Sequence, residues 1–326
     1  MNATATVLAL RSRARQARPP QLTIGLLNNM PDAALAATER QFAGLLAGAA
    51  DGATIELRLF SLAGVRRCAT TRDDMAGRYQ PAEALPAAGL DGLIVTGCEP
   101  RAVELEDEPY WPALARVIDW AAPASLPTIW SCLAAHAAVL RLDGVEREPL
   151  PAKLSGVFES RPVRQDALLA GDARPLTPHS RQNGLAEEDL VRRGYQVLTR
   201  SDAGVDAFVR RGQGLALFLQ GHPEYDADTL AREYCRDVGR YLRNERPFHP
   251  ATPTGYFDAD TEAALAELAE RARRKPAPEL AAAYADTLKR ASTRQTWRPA
   301  ALQLYRNWLA HVAAAQRPAA AGPAAL

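Results

Sequence analysis

The chain of 326 residues has only four cysteines and five histidines. The cysteines, Cys68, Cys98, Cys132 and Cys235, form no Cys-x-x-Cys pair. That spacing excludes a zinc knuckle and a vicinal redox couple, and it suits a reducing compartment in which a lone thiol can act as a nucleophile. Charge of one sign is not in excess either. Lys plus Arg total 39 against 38 Asp plus Glu, a formal net charge of +1. No global field draws the chain to nucleic acid or to an anionic membrane surface. No apolar run approaches the roughly 20 residues needed to span a bilayer. The remaining composition, 47% hydrophobic and 24% charged, is that of an ordinary globular protein long enough to bury a substantial core.

The ends differ from the middle. Arg11, Arg13, Arg15 and Arg18 precede the first acid, Asp32. An Arg-rich, acid-poor start has the composition of a transit peptide. Its short apolar stretch stands before the arginines, however, which is the wrong order for a secretory signal, and Pro19-Pro20 closes it. Residues 1–20 are therefore expected to be a disordered basic tail, and the Ala- and Pro-rich residues 317–326 a second disordered tail.

Between them, apolar runs alternate with helical patterns. Leu22–Leu27, Ile55–Phe60, Asp91–Thr96 and Leu126–Ser131 read as strands. Leu35, Thr38, Phe42, Leu45 and Leu46 share one face of a helix that Asp32 is expected to cap and Gly48 to stop. Tyr110–Ala122 and an Ala-rich stretch from Cys132 to about Leu140 are further helices. Tyr195–Thr199, Val205–Val209 and Leu215–Leu219 are later strands. The alternation predicts an α/β fold: an open, mainly parallel twisted sheet with helices on both faces, occupying residues 21–257. Residues 244–254 read as a linker. Helices from about Asp260, from Pro278-Glu279 and over Ala300–Ala313 then predict a helical extension, 258–316, packing back on the domain.

Three places carry candidate chemistry. At Pro127-Thr-Ile-Trp-Ser-Cys-Leu-Ala-Ala-His136 a strand runs straight into a helix. A side chain on such an elbow faces the cleft at the carboxyl end of the sheet, beside a helix N-terminus that favours a thiolate. Taken alone, Cys132 fits a small buried hydrophobe as readily as a nucleophile. At Leu217-Phe-Leu-Gln-Gly-His-Pro-Glu-Tyr225 an apolar strand ends in polar groups. There His222 and Glu224, two residues apart in extended chain, lie on one face, and a carboxylate can orient an imidazole. His136, His179 and His249 compete for the base role. At Thr96-Gly-Cys-Glu-Pro-Arg101 a turn at a strand end can present backbone N–H groups. With the N–H of Leu133, the turn at Gly97 can form an oxyanion hole. No metal-ligating pattern is present.

Together these motifs resemble the homoserine O-acyltransferase family of homoserine O-succinyltransferase type, built on the class I glutamine-amidotransferase-like fold. The matching stretches include Asn29-Met-Pro31, Thr38-Glu-Arg-Gln-Phe42, Asp91-Gly-Leu-Ile-Val-Thr-Gly97, Tyr110-Trp-Pro112 and Ser131-Cys-Leu-Ala-Ala135. Lys153-Leu-Ser-Gly-Val157, Pro178-His-Ser-Arg181, Gly221-His-Pro-Glu-Tyr-Asp226 and Asn307-Trp-Leu309 complete them. The resemblance implies that Cys132 is an acyl-thioester nucleophile, His222 the general base and Glu224 its partner. It implies substrate binding by Lys153, Ser180 and Arg236, with Arg236 a natural partner for an amino-acid carboxylate. It also implies an acyl-CoA co-substrate with no bound cofactor, L-homoserine as acceptor, cytoplasmic location and a possible homodimer. Arg101 aligns with the family's acyl-chain selector, which is small in succinyl users and Glu in acetyl users. An Arg there would not repel a succinyl carboxylate, so succinyl-CoA is favoured over acetyl-CoA; an alignment shifted to Glu99 reverses that preference. A paralogue acting on serine or another amino-acid alcohol, a glutamine amidotransferase-like hydrolase and a silent binding protein are the alternatives. Against the hydrolase, Cys132 is flanked by Ser131 and Leu133 instead of glycines.

Overall fold

A computed structural model describes residues 7–8 and 21–316. Apart from residues 7–8, the tails expected over 1–20 and 317–326 lie outside the described residues. The first half alternates strand and helix: β1 (Val7–Leu8), β2 (Gln21–Leu27), α1 (Asp32–Ala49), β3 (Thr54–Ser61), α2 (Ala69–Met75), β4 (Tyr79–Pro81), β5 (Gly92–Val95), α3 (Trp111–Ala121), β6 (Thr128–Ser131) and α4 (Leu133–Asp143). The second half contains β7 (Glu148–Glu159), β8 (Arg161–Pro162), β9 (Leu176–Gly184), α5 (Glu187–Arg192), β10 (Gln196–Ser201), β11 (Gly204–Arg211) and β12 (Leu215–Leu219). Four helices end it: α6 (Thr229–Leu242), α7 (Ala259–Arg274), α8 (Leu280–Arg290) and α9 (Arg298–Ala315).

The main sheet runs β1-β3-β2-β5-β6-β12-β11-β10-β8, with β4 also on β3. Strands β4, β3, β2, β5, β6 and β12 pair in parallel, and β11, β10 and β8 continue antiparallel. This is the expected open α/β sheet. Its inner strands read as unbroken apolar runs because both faces are covered. Alternation then divides their side chains between two cores. Leu93, Val95, Trp130 and Phe218 pack against α3 and α4 on one face. Ile24, Leu26, Ile94, Ile129 and Leu217 pack against α1 and α9 on the other.

Register places the site. Val95 lies opposite Trp130, and Leu219 opposite Ser131. Three neighbouring strands therefore end level, and the segments beginning at Gly97, Cys132 and Gln220 leave the same edge side by side, where open α/β sheets bind ligands.

Several local expectations are corrected. Pro31, not Asp32, precedes α1, and Asp32 accepts from the Cys68 N–H instead. Gly48 does not stop α1. The helix ends one residue later, at Ala49, and a Cβ at residue 48 would stand 2.7 Å from Leu302 Cδ2, the tip of an α9 side chain. A two-stranded sheet, β7 with β9, was not foreseen. Gly156 of β7, at φ 147°, bridges Thr254, and a Cβ would meet the Thr254 carbonyl at 2.3 Å. The linker 244–254 is thereby tied to the second sheet. The C-terminal helices divide: α7 and α8 pack with α6 around Tyr284 and Trp297, whereas α9 sits on the sheet itself, with Tyr305 and Trp308 fully buried.

Because Trp308 fills the space above Gly92, Trp308→Ala should lower the unfolding free energy by about 3–5 kcal/mol. Urea denaturation measures this, and a loss below about 1 kcal/mol would contradict α9 as a core helix.

Candidate active site

Cys132 occupies the elbow between β6 and α4 at φ 51°, ψ −116°. Left-handed backbone at a non-glycine residue costs about 1–3 kcal/mol and persists only where the surroundings impose it. Here the Cys132 N–H donates to the Leu219 carbonyl at the end of β12 (2.7 Å). The Cys132 carbonyl accepts from Ala135 and His136, whereas the N–H groups of Leu133 and Ala134, at the start of α4, lack intrahelical acceptors. Gly97 packs directly on them: a Cβ at residue 97 would lie 2.8 Å from Leu133 N. The predicted pair Gly97 and Leu133 thus meets beside the cysteine.

His222 follows β12 by three residues, and its N–H donates to the Pro178 carbonyl of β9 (2.8 Å). Its Nδ1 lies 2.8 Å from Glu224 Oε1. The carboxylate accepts from Nδ1–H, which leaves Nε2 for the sulfur. The ring stacks on Tyr225, centroids 4.3 Å apart and planes 16° from parallel. Burial alone disfavours the imidazolium, but the nearby Cys132 sulfur and the Glu224 carboxylate bonded at Nδ1 outweigh it. The His222 pKa is raised well above its ordinary value. Histidine and glutamate are thus bonded in a buried pair, with the half-buried Cys132 sulfur acting on the imidazole. Burial pushes the half-buried Cys98 thiol up to about 12.

The competing imidazoles are engaged elsewhere. His136, one turn along α4, lies 3.0 Å from Gln220 Oε1 through Nε2, and burial lowers its pKa to about 3, so it is neutral. His179 accepts from Arg181 at Nδ1 (3.4 Å), and its Nε2 lies 3.3 Å from Asp206 Oδ1. His249 contacts Tyr284 and the Pro250 carbonyl.

The residues matched to substrate binding gather on α6. Lys153 Nζ lies 2.8 Å from Asp237 Oδ2, and Arg236 Nε donates to Asp237 Oδ1 (3.0 Å). Arg246 and Arg240 approach the same carboxylate at 3.3 and 3.9 Å. Burial would raise the Asp237 pKa, yet Lys153 and Arg236 together hold it below the usual value. Ser180 donates to Glu233, whose other oxygen accepts from the Tyr225 hydroxyl (3.0 Å), so Ser180 connects to the ring stacked on His222. Arg101 stands apart. Its backbone N–H meets Glu108 and its side chain is exposed, whereas Glu99 of the same loop pairs with Arg240 at 2.7 Å.

Sequence reading missed Asp237, Glu233 and Tyr225. Asp237 and Tyr225 were visible as neighbours of Arg236 and Glu224. The contact of Glu233 with Ser180 spans 53 residues and left no local signal.

Because folding raises the His222 pKa, this group contributes stability that is complete below about pH 6.5 and is lost as pH rises through the folded-state value. NMR titration should find the imidazole protonated well above that pH. Glu224→Gln should bring its midpoint down, since the carboxylate bonded at Nδ1 is one of the groups that raise it. A wild-type midpoint at or below the ordinary histidine value would contradict the geometry.

The same fold appears in a solved glutamine amido transferase from Methylobacillus flagellatus. It matches at a TM-score of 0.50 and 18% identity, over 91% of this chain and 96% of that one. The homoserine O-succinyltransferase family model matches residues 1–319. A homoserine O-succinyltransferase from Methylorubrum extorquens is 51% identical over 297 residues, 90% of this chain and 87% of the relative. One from Rhodopseudomonas palustris is 48% identical over 305 residues, 93% of this chain and 92% of the relative. With the elbow cysteine, the buried histidine and glutamate and this degree of similarity along nearly its whole length, the chain belongs to the homoserine O-succinyltransferase family.

Proposed function

We propose that the protein is a cytoplasmic acyl-CoA-dependent O-acyltransferase of methionine biosynthesis. It transfers a succinyl group, in preference to acetyl, to the hydroxyl of L-homoserine through a thioester on Cys132. The observation that carries this reading is the buried His222–Glu224 pair acting with the elbow Cys132, together with the cations held on Asp237.

In the first half-reaction His222 holds a proton and Cys132 presents its sulfur as the thiolate. The sulfur attacks the thioester carbonyl carbon. The oxyanion forms against Leu133 N–H and the backbone at Gly97, where each lost donor costs about 3 kcal/mol. The new carbon–sulfur bond to Cys132 replaces that to CoA, and the departing CoA sulfur takes the His222 proton. Exchange of one thioester for another is nearly balanced. In the second half-reaction neutral His222 removes the homoserine hydroxyl proton. The oxygen attacks the acyl carbon, the oxygen ester forms, and the Cys132 sulfur leaves as thiolate. Glu224 keeps Nε2 directed at the reacting atoms and stabilises the imidazolium.

Arg236 and Lys153 orient the acceptor. Arg236 is fixed on one edge by Asp237 and stays half exposed on the other, leaving its guanidinium open to an amino-acid carboxylate. Ser180, fixed by Glu233, supplies a hydroxyl near the same place.

Steady-state kinetics with both substrates varied should give parallel double-reciprocal lines, as a covalent intermediate requires. Homoserine should exceed serine as acceptor. Cys132→Ala should reduce kcat by about three orders of magnitude or more. Intersecting lines would contradict the covalent route, and ammonia release from glutamine would favour a hydrolase instead.

A further inference from the structure

The loop that follows β5 carries two charged residues with opposite fates. Both residues are exposed, but Glu99 lies against α6, where Arg240 Nη1 and Nη2 reach its two carboxylate oxygens at 2.7 and 3.3 Å. This is a forked contact, the geometry with which a guanidinium takes any carboxylate. The pair is half exposed on both sides. It can therefore open without stranding a buried charge.

Its surroundings are cationic. Lys153, Arg236, Arg240 and Arg246 converge on Asp237, and Glu99 is the second carboxylate there. Glu233 also acts on Arg236 and Glu245 on Arg240, so the cations are already matched by carboxylates and a further one enters by replacing Glu99. It also adjoins the acyl-transfer centre. Glu99 is two residues from Gly97, which packs against the Leu133 backbone next to Cys132. Consecutive Cα atoms are 3.8 Å apart, which keeps Glu99 within about 8 Å of that turn.

We propose that Arg240 is the specificity-determining residue for the free carboxylate of a dicarboxylic acyl donor, and that Glu99 occupies its guanidinium until the donor replaces it. The inference rests on the acyltransferase reading above and deepens it. The donor's carboxylate takes the forked contact that Glu99 now makes, and the Glu99 side chain swings into solvent. A monocarboxylic acyl group such as acetyl has nothing with which to displace Glu99. Selection between donors then lies in the exchange of one carboxylate for another at Arg240, and Arg101, facing outward, takes no part.

The pairing gives substitutions of opposite sign, which a merely structural ion pair would not. Initial rates with succinyl-CoA and acetyl-CoA should be compared for the wild type, Glu99→Gln and Arg240→Gln, with folding verified by circular dichroism and thermal melting. Glu99→Gln removes the competitor, so the ratio of kcat/KM for succinyl-CoA to that for acetyl-CoA should rise severalfold, chiefly through a lower KM for succinyl-CoA. Arg240→Gln should reduce the same ratio about tenfold or more, the loss of one charge-assisted contact. A ratio that moves in the same direction in both variants, or in neither, would overturn the proposal. So would an equal loss with both donors in Arg240→Gln, which would assign the arginine to the CoA phosphates. If the wild type used neither donor, the acyltransferase reading itself would fail. Normal turnover with unchanged ratios would overturn only the role given to Arg240 and Glu99.

Discussion

A cysteine at φ 51° and ψ −116° cannot continue β6 and has not yet entered α4. What holds it there is the hydrogen bond from its own N–H to the Leu219 carbonyl, at the end of the neighbouring parallel strand. Three residues past Leu219 stands His222, so the contact that strains the sulfur-bearing residue also fixes the chain that carries its imidazole partner. On the opposite side β5 ends level with β6, and only glycine at 97 lets that loop close onto Leu133. The sheet's register thus delivers the nucleophile, base and oxyanion donors together, and the long apolar runs that build the sheet indirectly build the site.

Charge follows the same geometry. Three buried histidines lie around this edge, and their surroundings divide them. His136 and His179 lose protons to burial, the first bonded to an amide and the second placed between Arg181 and Asp206. His222 is buried too, but the Glu224 carboxylate bonded at Nδ1 and the nearby Cys132 sulfur reverse the sign. One step outward, Asp237 does for cations what Glu224 does for the imidazole: it is a buried carboxylate that holds Lys153 and Arg236 in place. The second sheet serves both layers, since β7 carries Lys153 and β9 carries Ser180 as well as the carbonyl that receives the His222 N–H.

Much of this was legible in the sequence. The inner strands announced themselves as unbroken apolar runs because burial on both faces leaves them no polar side. The elbow at Cys132 and the strand end before His222 were visible as abrupt changes from apolar to small or polar residues. The β7–β9 sheet was not, because Glu148-Pro-Leu-Pro-Ala-Lys153 mixes proline and charge and is largely exposed, and its register breaks between Pro149 and Leu154. Gly48 lies one residue inside the end of α1, where side chains of α9 also approach it. The ion pairs around Asp237 and Glu99 join positions 84 and 141 residues apart, and no local pattern records them.

The account depends on an acyl group residing on one sulfur between the two half-reactions. Intact-protein mass spectrometry with peptide mapping after mixing with succinyl-CoA, before any acceptor is added, tests this most directly. A mass increase of one succinyl group on Cys132 that disappears when homoserine is supplied is the predicted result. Formation of the ester product while the protein mass never changes, under conditions that would trap the thioester, would contradict it.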